Sequence, residues 1–427
     1  MEERFDAIVV GAGPAGSVAA YCMAKEGLNV LLIERGNTPG SKNMTGGRLY
    51  AHSLHKIIPN FWEEAPVERK VTREMVTFLT DQSAISLDVK SERLNESPSF
   101  TVLRSEFDSW LAEKAEEAGA ILATGIRVDK LILKDGKVQG VVCGEDEMLS
   151  NVVIAADGVN SLLAQKAGLR GELSPEHVAT GAKTVIELPR NVIEERFNLN
   201  GEAGAAQLFV GECTHGLQGG GFLYTNLSSI SLGLVVTAGE FAHTKYRIAD
   251  LMEDFKMHPA IQQLIEGGKT VEYSAHLVPE GGLSMMPTLV TDGLLIVGDA
   301  AGLVLNTGYM VRGMDLAIAS GEAAAHAVIS ANQIGDYTKN GLSLYQKELE
   351  NGFVLKDLNT YSKAPGFMEN HRIFRKYPQM VEDLMIRLFS IDGTPARPLR
   401  KELMGMIKEH SSILEISKDV WKGVKAF

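Results

Sequence analysis

Gly11, Gly13 and Gly16 stand as G-x-G-x-x-G, and Glu34 follows 18 residues after Gly16. Residues of these types at this spacing suit one task, the holding of a nucleotide pyrophosphate. Glycine at 11 permits a tight turn, glycine at 13 lets the pyrophosphate approach the backbone, and glycine at 16 lets a helix pack closely on a strand. A helix N-terminus opening there offers N–H groups and a positive dipole end to phosphate. The Glu34 carboxylate can accept from ribose hydroxyls and would repel a 2′-phosphate, so NADP is disfavoured. The motif alone does not decide between NAD and FAD.

The elements that must position these residues are legible around them. Residues 7–10 are an apolar run of buried-strand type, 17–25 are small and helix-forming, Gly27 ends that helix, and 29–33 are a second strand closed by Glu34. At 102–120, Ser105 and Asp108 form a capping-box-like start, and Phe107, Trp110, Leu111 and Ala115 recur at helical spacing. Arg104 stands just before that cap, where a solvated arginine and a ligand-facing one read alike. Asp135-Gly136 signals a hairpin. "NVVIAADGVNS" is a strand ending at Asp157-Gly158, a dipeptide that taken alone is more often a turn than a site. "GLLIVGDAAG" is a strand ending at Gly298-Asp299, with small residues that predict a helix opening after Asp299; a long alanine-rich helix is expected from about Met314.

Residues 180–272 change character, with β-rich stretches and glycine-rich connections but no second G-x-G-x-x-G in a strand–helix context. Within them lies "QGGGFLYTN", from Gln218 to Asn226. Three glycines before two aromatics mark either a bend or a place where something flat lies against the main chain.

Composition narrows the class. The chain has 427 residues, 45% hydrophobic and 22% charged, which suits two or three packed units. A net charge of −12 argues against nucleic acid. Cys22, Cys143 and Cys213 form neither a disulfide framework nor a metal or cluster pattern, and a reducing cytoplasm fits them. The start of the chain leaves no room for a signal peptide, and no apolar run reaches the roughly 18 residues of a spanning helix.

The fingerprint, "AADGVNS" and "GLLIVGDAAG", in that order, resemble the flavoprotein family of aromatic hydroxylases, geranylgeranyl reductases and electron-transfer flavoprotein:quinone oxidoreductases. Within it the chain is most similar to the FixC family, through "KNMTGGRLYAHSL", "GGGFLYTN", "EYSAHLVPEGG", "NTGYMVRGMDLAIASGEAAA" and "YPQMVEDLMIRLFSIDG". The resemblance implies an α/β fold: a Rossmann-like FAD domain of glutathione-reductase type (1–72, 101–172 and 286–335), an inserted β-rich substrate or quinone domain (73–100 and 173–285), and a helical C-terminal region (336–427). It implies FAD as cofactor, an FAD-dependent oxidoreductase of electron transport, and no side-chain nucleophile. Glu34 would hold the adenosine ribose, Arg104 would lie near the pyrophosphate, and Asp299 would hold the ribityl chain. Gly11, Gly13, Ala15, Gly16, Arg35, Val128 and Asp157 complete the expected nucleotide site. Thr45, Gly46 and Gly47 would flank the ring. Gly308, Met310 and Val311, with the helix after Asp299, would serve its pyrimidine side through backbone N–H groups. Gly219 and Gly220, with Phe222 and Tyr224, match the glycine pair that lines the quinone pocket of the larger oxidoreductases.

The sequence departs from two patterns. The larger enzymes carry a four-cysteine iron–sulfur module, whereas this chain has no cysteine after Cys213. Electrons are therefore expected from partners: a two-subunit electron-transferring flavoprotein (FixAB-like) and a ferredoxin-like iron–sulfur subunit (FixX-like). The loop after Asp299 keeps one glycine, Gly308, where hydroxylases and reductases have Gly-x-Gly. A lipid-soluble quinone implies a cytoplasmic protein peripheral on the inner face of the membrane. Residues 397–427 carry seven basic and four acidic side chains, with Met404, Ile407, Leu414, Ile416, Val420 and Trp421, so they can form a basic amphipathic surface or a solvated helix. Two other readings stay open: a reductase of prenyl-lipid double bonds, and a flavin-bearing docking subunit.

Overall fold

Residues 7–10 are apolar at every position, so the strand they form must be covered on both faces. They are the buried end of Arg4–Val10 in the computed structural model, which describes residues 4–41, 47–395 and 397–427. Asp146–Ala155 pairs parallel on one side of that strand and Val30–Ile33 on the other. Leu294–Ile296 and Ile121–Ala123 extend the parallel set outward. The register opposes Val10 to Ala155 and to Ile33, and Ala155 to Ile296, so four strands end level. The glycine turn, Glu34, Asp157-Gly158 and Gly298-Asp299 thus leave from one carboxyl edge, where open parallel sheets place their ligands.

Close packing explains the glycines at that edge. At Gly11 (φ +107) a Cβ would lie 2.3 Å from the carbonyl oxygen of Ala156, and at Gly16 one would lie 1.9 Å from that of Gly11. Helix Met314–Ile334 crosses helix Pro14–Lys25 as closely, since a Cβ at Gly321 would meet the Ala15 carbonyl at 2.2 Å. The hairpin expected at Asp135-Gly136 joins Lys130–Lys134 to Lys137–Cys143, with positive φ at both turn residues. Cys143 and Cys213 are buried and Cys22 half-buried; burial pushes the Cys22 and Cys213 thiols up to about 12.

A second sheet, nine-stranded among the described residues, runs in the order Lys269–Pro279, Val178–Glu187, Ser229–Thr237, Gly219–Thr225, Ala203–Gly211, Val67–Leu79, Ser99–Val102, Arg48–Tyr50, with Ala84–Lys90 on Val67–Leu79. Domain limits at 72/73 and 100/101 cut Val67–Leu79 and Ser99–Val102, each of which runs unbroken in this sheet. Arg69 is 1% exposed at the heart of the second sheet. Its guanidinium donates to the carbonyls of Asn226 (2.7 Å), Gly201 (2.9 Å), Ala203 (3.0 Å) and Leu227 (3.3 Å) and pairs with Glu194 at 3.4 Å.

The C-terminal region is helical. Arg372–Phe389 lies against Ala203–Gly211 with Pro378 beside Gly211. Buried Asp419 accepts from Arg372 at 2.6 and 2.7 Å and so ties the last helix, Ile413–Ala426, to it. No helix among the described residues is long and apolar enough to cross a membrane.

Candidate functional site

A cavity of about 730 Å³ joins the carboxyl edge of the first sheet to the second sheet and the C-terminal helices. Gly13, Ala15, Arg104, Asp299, Gly308 and Val311 line it from the nucleotide side. Gly47, Gly219, Gly220, Phe222 and Tyr224 line it from the second sheet. Gly11, Gly16, Glu34, Arg35, Val128, Asp157 and Met310 stand outside its wall. Of these, Gly11 and Gly16 shape the turn, Glu34 and Asp157 close strands at the same edge, Arg35 is exposed, and Val128 and Met310 pack on the first core. Thr45 and Gly46 lie outside the described residues.

The N-terminus of helix Pro14–Lys25 carries no acidic residue in its first turn and no side-chain cap. Among the described residues no side chain takes its first N–H groups, which stand at the positive end of the dipole. Glu34 accepts from Ala12 N (3.0 Å) and Gly36 N (2.6 Å), one bond on each oxygen. Each oxygen keeps a lone pair for a hydroxyl. Asp157 accepts from Leu163 N at 3.0 Å through Oδ2, while buried Oδ1 has no hydrogen-bond partner among the described residues. Burial pushes the Asp157 carboxyl up, and pushes Asp299 up against the pull of Arg104. A bare helix N-terminus, a free-sided carboxylate at the next strand end and a cavity-facing aspartate suit the phosphates, ribose and polyol of a dinucleotide such as FAD.

The structure changes three local expectations. Helix Arg104–Glu117 begins one residue before Ser105, and no side chain caps it. Asp108 is instead buried and accepts from Arg104 Nε and Nη2 at 2.8 and 2.7 Å, four residues along the same face. Burial opposes the Arg104 charge, but Asp108 and Asp299 hold its pKa above the ordinary value. After Asp299 the chain makes only the 3-10 turn Gly298–Ala301, because Gly302 (φ 73) turns it into the hairpin Leu305–Asn306/Val311–Arg312. The long helix waits until Met314. The Gly308 N–H is also taken, donating to Asn306 Oδ1 at 2.9 Å.

The triple glycine has a structural cause of its own. A Cβ at Gly219 would meet the Val235 carbonyl at 2.1 Å, one at Gly220 the Phe209 carbonyl at 2.8 Å, and one at Gly221 the Phe255 ring at 2.8 Å. The sheet requires bare backbone there whatever lies against it. Phe222 and Tyr224 stack on each other (5.3 Å, 27°), and a Cβ at Gly47 would touch the Tyr224 ring at 2.8 Å.

Sequence reasoning missed the remaining wall. Phe367, Met368, Phe374 and Phe427 close the cavity from the C-terminal region, with Phe427 edge-on to Tyr309 and Phe367 at 5.8 and 5.4 Å. Glu280 and Arg312 also line it. Arg312 is held by Asp315 (2.6 Å) and Asp357 (2.6 Å). Glu280 lies in "LVPEGG", a stretch that carries the family resemblance without marking the residue.

Two family models match the chain: an FAD dependent oxidoreductase model over residues 6–196 and the ETF-QO/FixC family C-terminal domain over 364–427. The chain is 54% identical over its full length to 99% of a probable electron transfer flavoprotein-quinone oxidoreductase, YdiS, of Escherichia coli. It is 52% identical to protein FixC of Salmonella typhi over 99% of both chains. Its fold matches a geranylgeranyl bacteriochlorophyll reductase-like protein of Thermoplasma acidophilum (TM-score 0.73, 22% identity, 99% of both chains). It also matches the FAD-dependent chondrochloren halogenase CndH (TM-score 0.65, 18% identity, 100% of this chain and 97% of that one).

Proposed function

The chain belongs to the ETF-QO/FixC family of FAD-dependent oxidoreductases of electron transfer, and from that premise we propose that it takes electrons from an electron-transferring flavoprotein, with a ferredoxin-like iron–sulfur partner, and passes them to a membrane quinone. The observation that carries this reading is the continuity of the cavity. One space joins the residues suited to FAD to an apolar wall drawn from the second sheet and the C-terminal helices.

Bound FAD supplies the redox chemistry. The chain's residues supply its place and its surroundings. The helix opening at Pro14 holds the pyrophosphate, Glu34 the adenosine ribose and Asp299 the polyol. Arg104, fixed by Asp108, keeps positive charge at the phosphate side. The wall of Val76, Phe78, Leu208 and Phe222 excludes water and accepts a flat apolar ring.

Anaerobic stopped-flow of the two half-reactions tests the proposal. FAD reduction should be fast with an electron-transferring flavoprotein and slow with NADH or NADPH alone, and a water-soluble quinone should reoxidise it. Rapid bleaching by either nucleotide, or saturated prenyl-lipid products without quinone turnover, would overturn it.

The proposed acceptor implies a membrane face, and exposed apolar side chains on the C-terminal helices support one there. Leu414 (82% exposed) and Trp421 (61%) lie two turns apart on one helix face, and Phe389 (80%) and Ile391 (94%) are exposed at the end of Arg372–Phe389. Seven basic against four acidic residues give 397–427 a net +3 in a chain of net −12. The apolar side chains would enter the interface and the lysines would meet anionic headgroups. L414D/W421D should lose at least tenfold in affinity for anionic vesicles by sedimentation while keeping its FAD; unchanged binding would remove this face from the proposal.

A further inference from the structure

Reducing a quinone to a quinol forms two O–H bonds, so the step needs a proton source at the quinone oxygens. One cavity group is built to supply a proton. Glu280 follows strand Lys269–Pro279 and lines the cavity with Asp299 and Gly308. Its Oε2 accepts the Thr237 hydroxyl at 3.1 Å, and its carboxyl is hydrogen-bonded to Asn306. The same Asn306 holds Gly308 N at 2.9 Å, so the carboxyl is linked to the loop expected to meet the cofactor ring. Among the described residues no Lys, Arg or His forms an ion pair with Glu280.

Other titratable groups share the cavity with Glu280, Glu369 from the C-terminal region among them. Glu176 and His177 line the cavity from the turn Pro175–His177, and the Glu280 N–H donates to the His177 carbonyl at 2.8 Å. On the preceding strand His276 is pushed down by burial, Arg104 and Arg35, so it is neutral and a poor acid. Arg312 on the hairpin is bound by Asp315 and Asp357. Burial pushes the Tyr224 phenol far up, beyond useful proton donation. Asp299 faces Arg104 and is needed by the cofactor. Burial without a cation pushes the Glu280 carboxyl up, outweighing its bonds to Thr237 and Asn306, and so favours its protonated form.

Resting on the quinone reading above, we propose that Glu280 is the proton donor to the quinone oxygen. Two electrons and one proton are those that the reduced cofactor supplies. The second proton leaves Glu280: its O–H bond breaks as an O–H bond forms on the quinone, and the carboxylate then recovers a proton from water. The donor is active below its pKa and silent above it, so quinone reoxidation should fall as pH rises through that value.

Glu280→Gln keeps the shape and the bond to Thr237. Its FAD content and its reduction by the flavoprotein donor should match wild type. Reoxidation by a water-soluble quinone should slow roughly a hundredfold, the usual scale of general acid catalysis, and its fall with pH should disappear. Infrared difference spectra of the protein without donor or acceptor give an independent readout: a protonated-carboxyl band present in wild type should be missing in E280Q. Unchanged reoxidation and pH profile in E280Q, or no such band in wild type, would overturn the assignment. Wild-type protein that quinone does not reoxidise at all would instead overturn the acceptor reading, and the proton step with it.

Discussion

Gly13→Val should yield a folded protein that purifies without FAD. Gly13 precedes the first helix with φ −79 and ψ −177, a backbone that any residue adopts. Valine therefore adds no backbone strain at this position, which lines the cavity. Its methyl groups would occupy the approach of the pyrophosphate to the N–H groups of the first turn. A loss of at least a hundredfold in affinity, about 2.7 kcal/mol, is expected, read as flavin absorbance per protein alongside circular dichroism. Gly16→Val provides the contrast. Its Cβ would lie 1.9 Å from the Gly11 carbonyl, so soluble yield should collapse along with FAD. Stoichiometric FAD in G13V would remove the glycine turn from the site.

Arg69→Ala should be among the most destabilising single changes in the second sheet, and it should leave FAD content intact at low temperature. The carbonyls of Gly201, Ala203, Asn226 and Leu227 converge on this one buried guanidinium. Removing it leaves acceptors dry and unpaired, a loss of about 3–5 kcal/mol. If the chain unfolds as a unit, its melting temperature should drop by roughly 3–6 °C. Glu194→Gln, which alters the partner at the solvent edge, should move it far less. Differential scanning calorimetry of both variants makes the comparison; equal shifts would mean that the ion pair matters rather than the carbonyl cage.

What was legible in the sequence was local. The glycine fingerprint, Glu34 and the two later strand ends declare themselves because turn, dipole and strand chemistry act within a few residues of each other. That they leave one edge together follows from parallel register. Where several local rules competed, the reading slipped. Ser105 and Asp108 suit a capping box, but Asp108 is drawn inward by Arg104, and the helix starts without a side-chain cap. Gly302 ends the turn after Asp299 before an α-helix can form. The triple glycine was legible as bare backbone, while its nearest cause, carbonyls on the two flanking strands, depends on pairing with residues 209 and 235. Glu280, Arg312 and Phe427 gave no signal because only tertiary packing brings them to one cavity.

The level carboxyl edge of the first sheet also bears on how the protein is made. The edge needs Gly11 from near the start of the chain and Asp299 from far along it. At roughly 5–20 residues per second, about 15–60 seconds separate their emergence from the ribosome. For the first half of that interval Arg4–Val10 lacks its neighbour Asp146–Ala155, and for the second half Asp146–Ala155 lacks Leu294–Ile296, so a parallel sheet stands open on the nascent chain. Cofactor capture is therefore a late event of synthesis. Cells short of flavin should accumulate full-length but aggregation-prone chains rather than truncated ones.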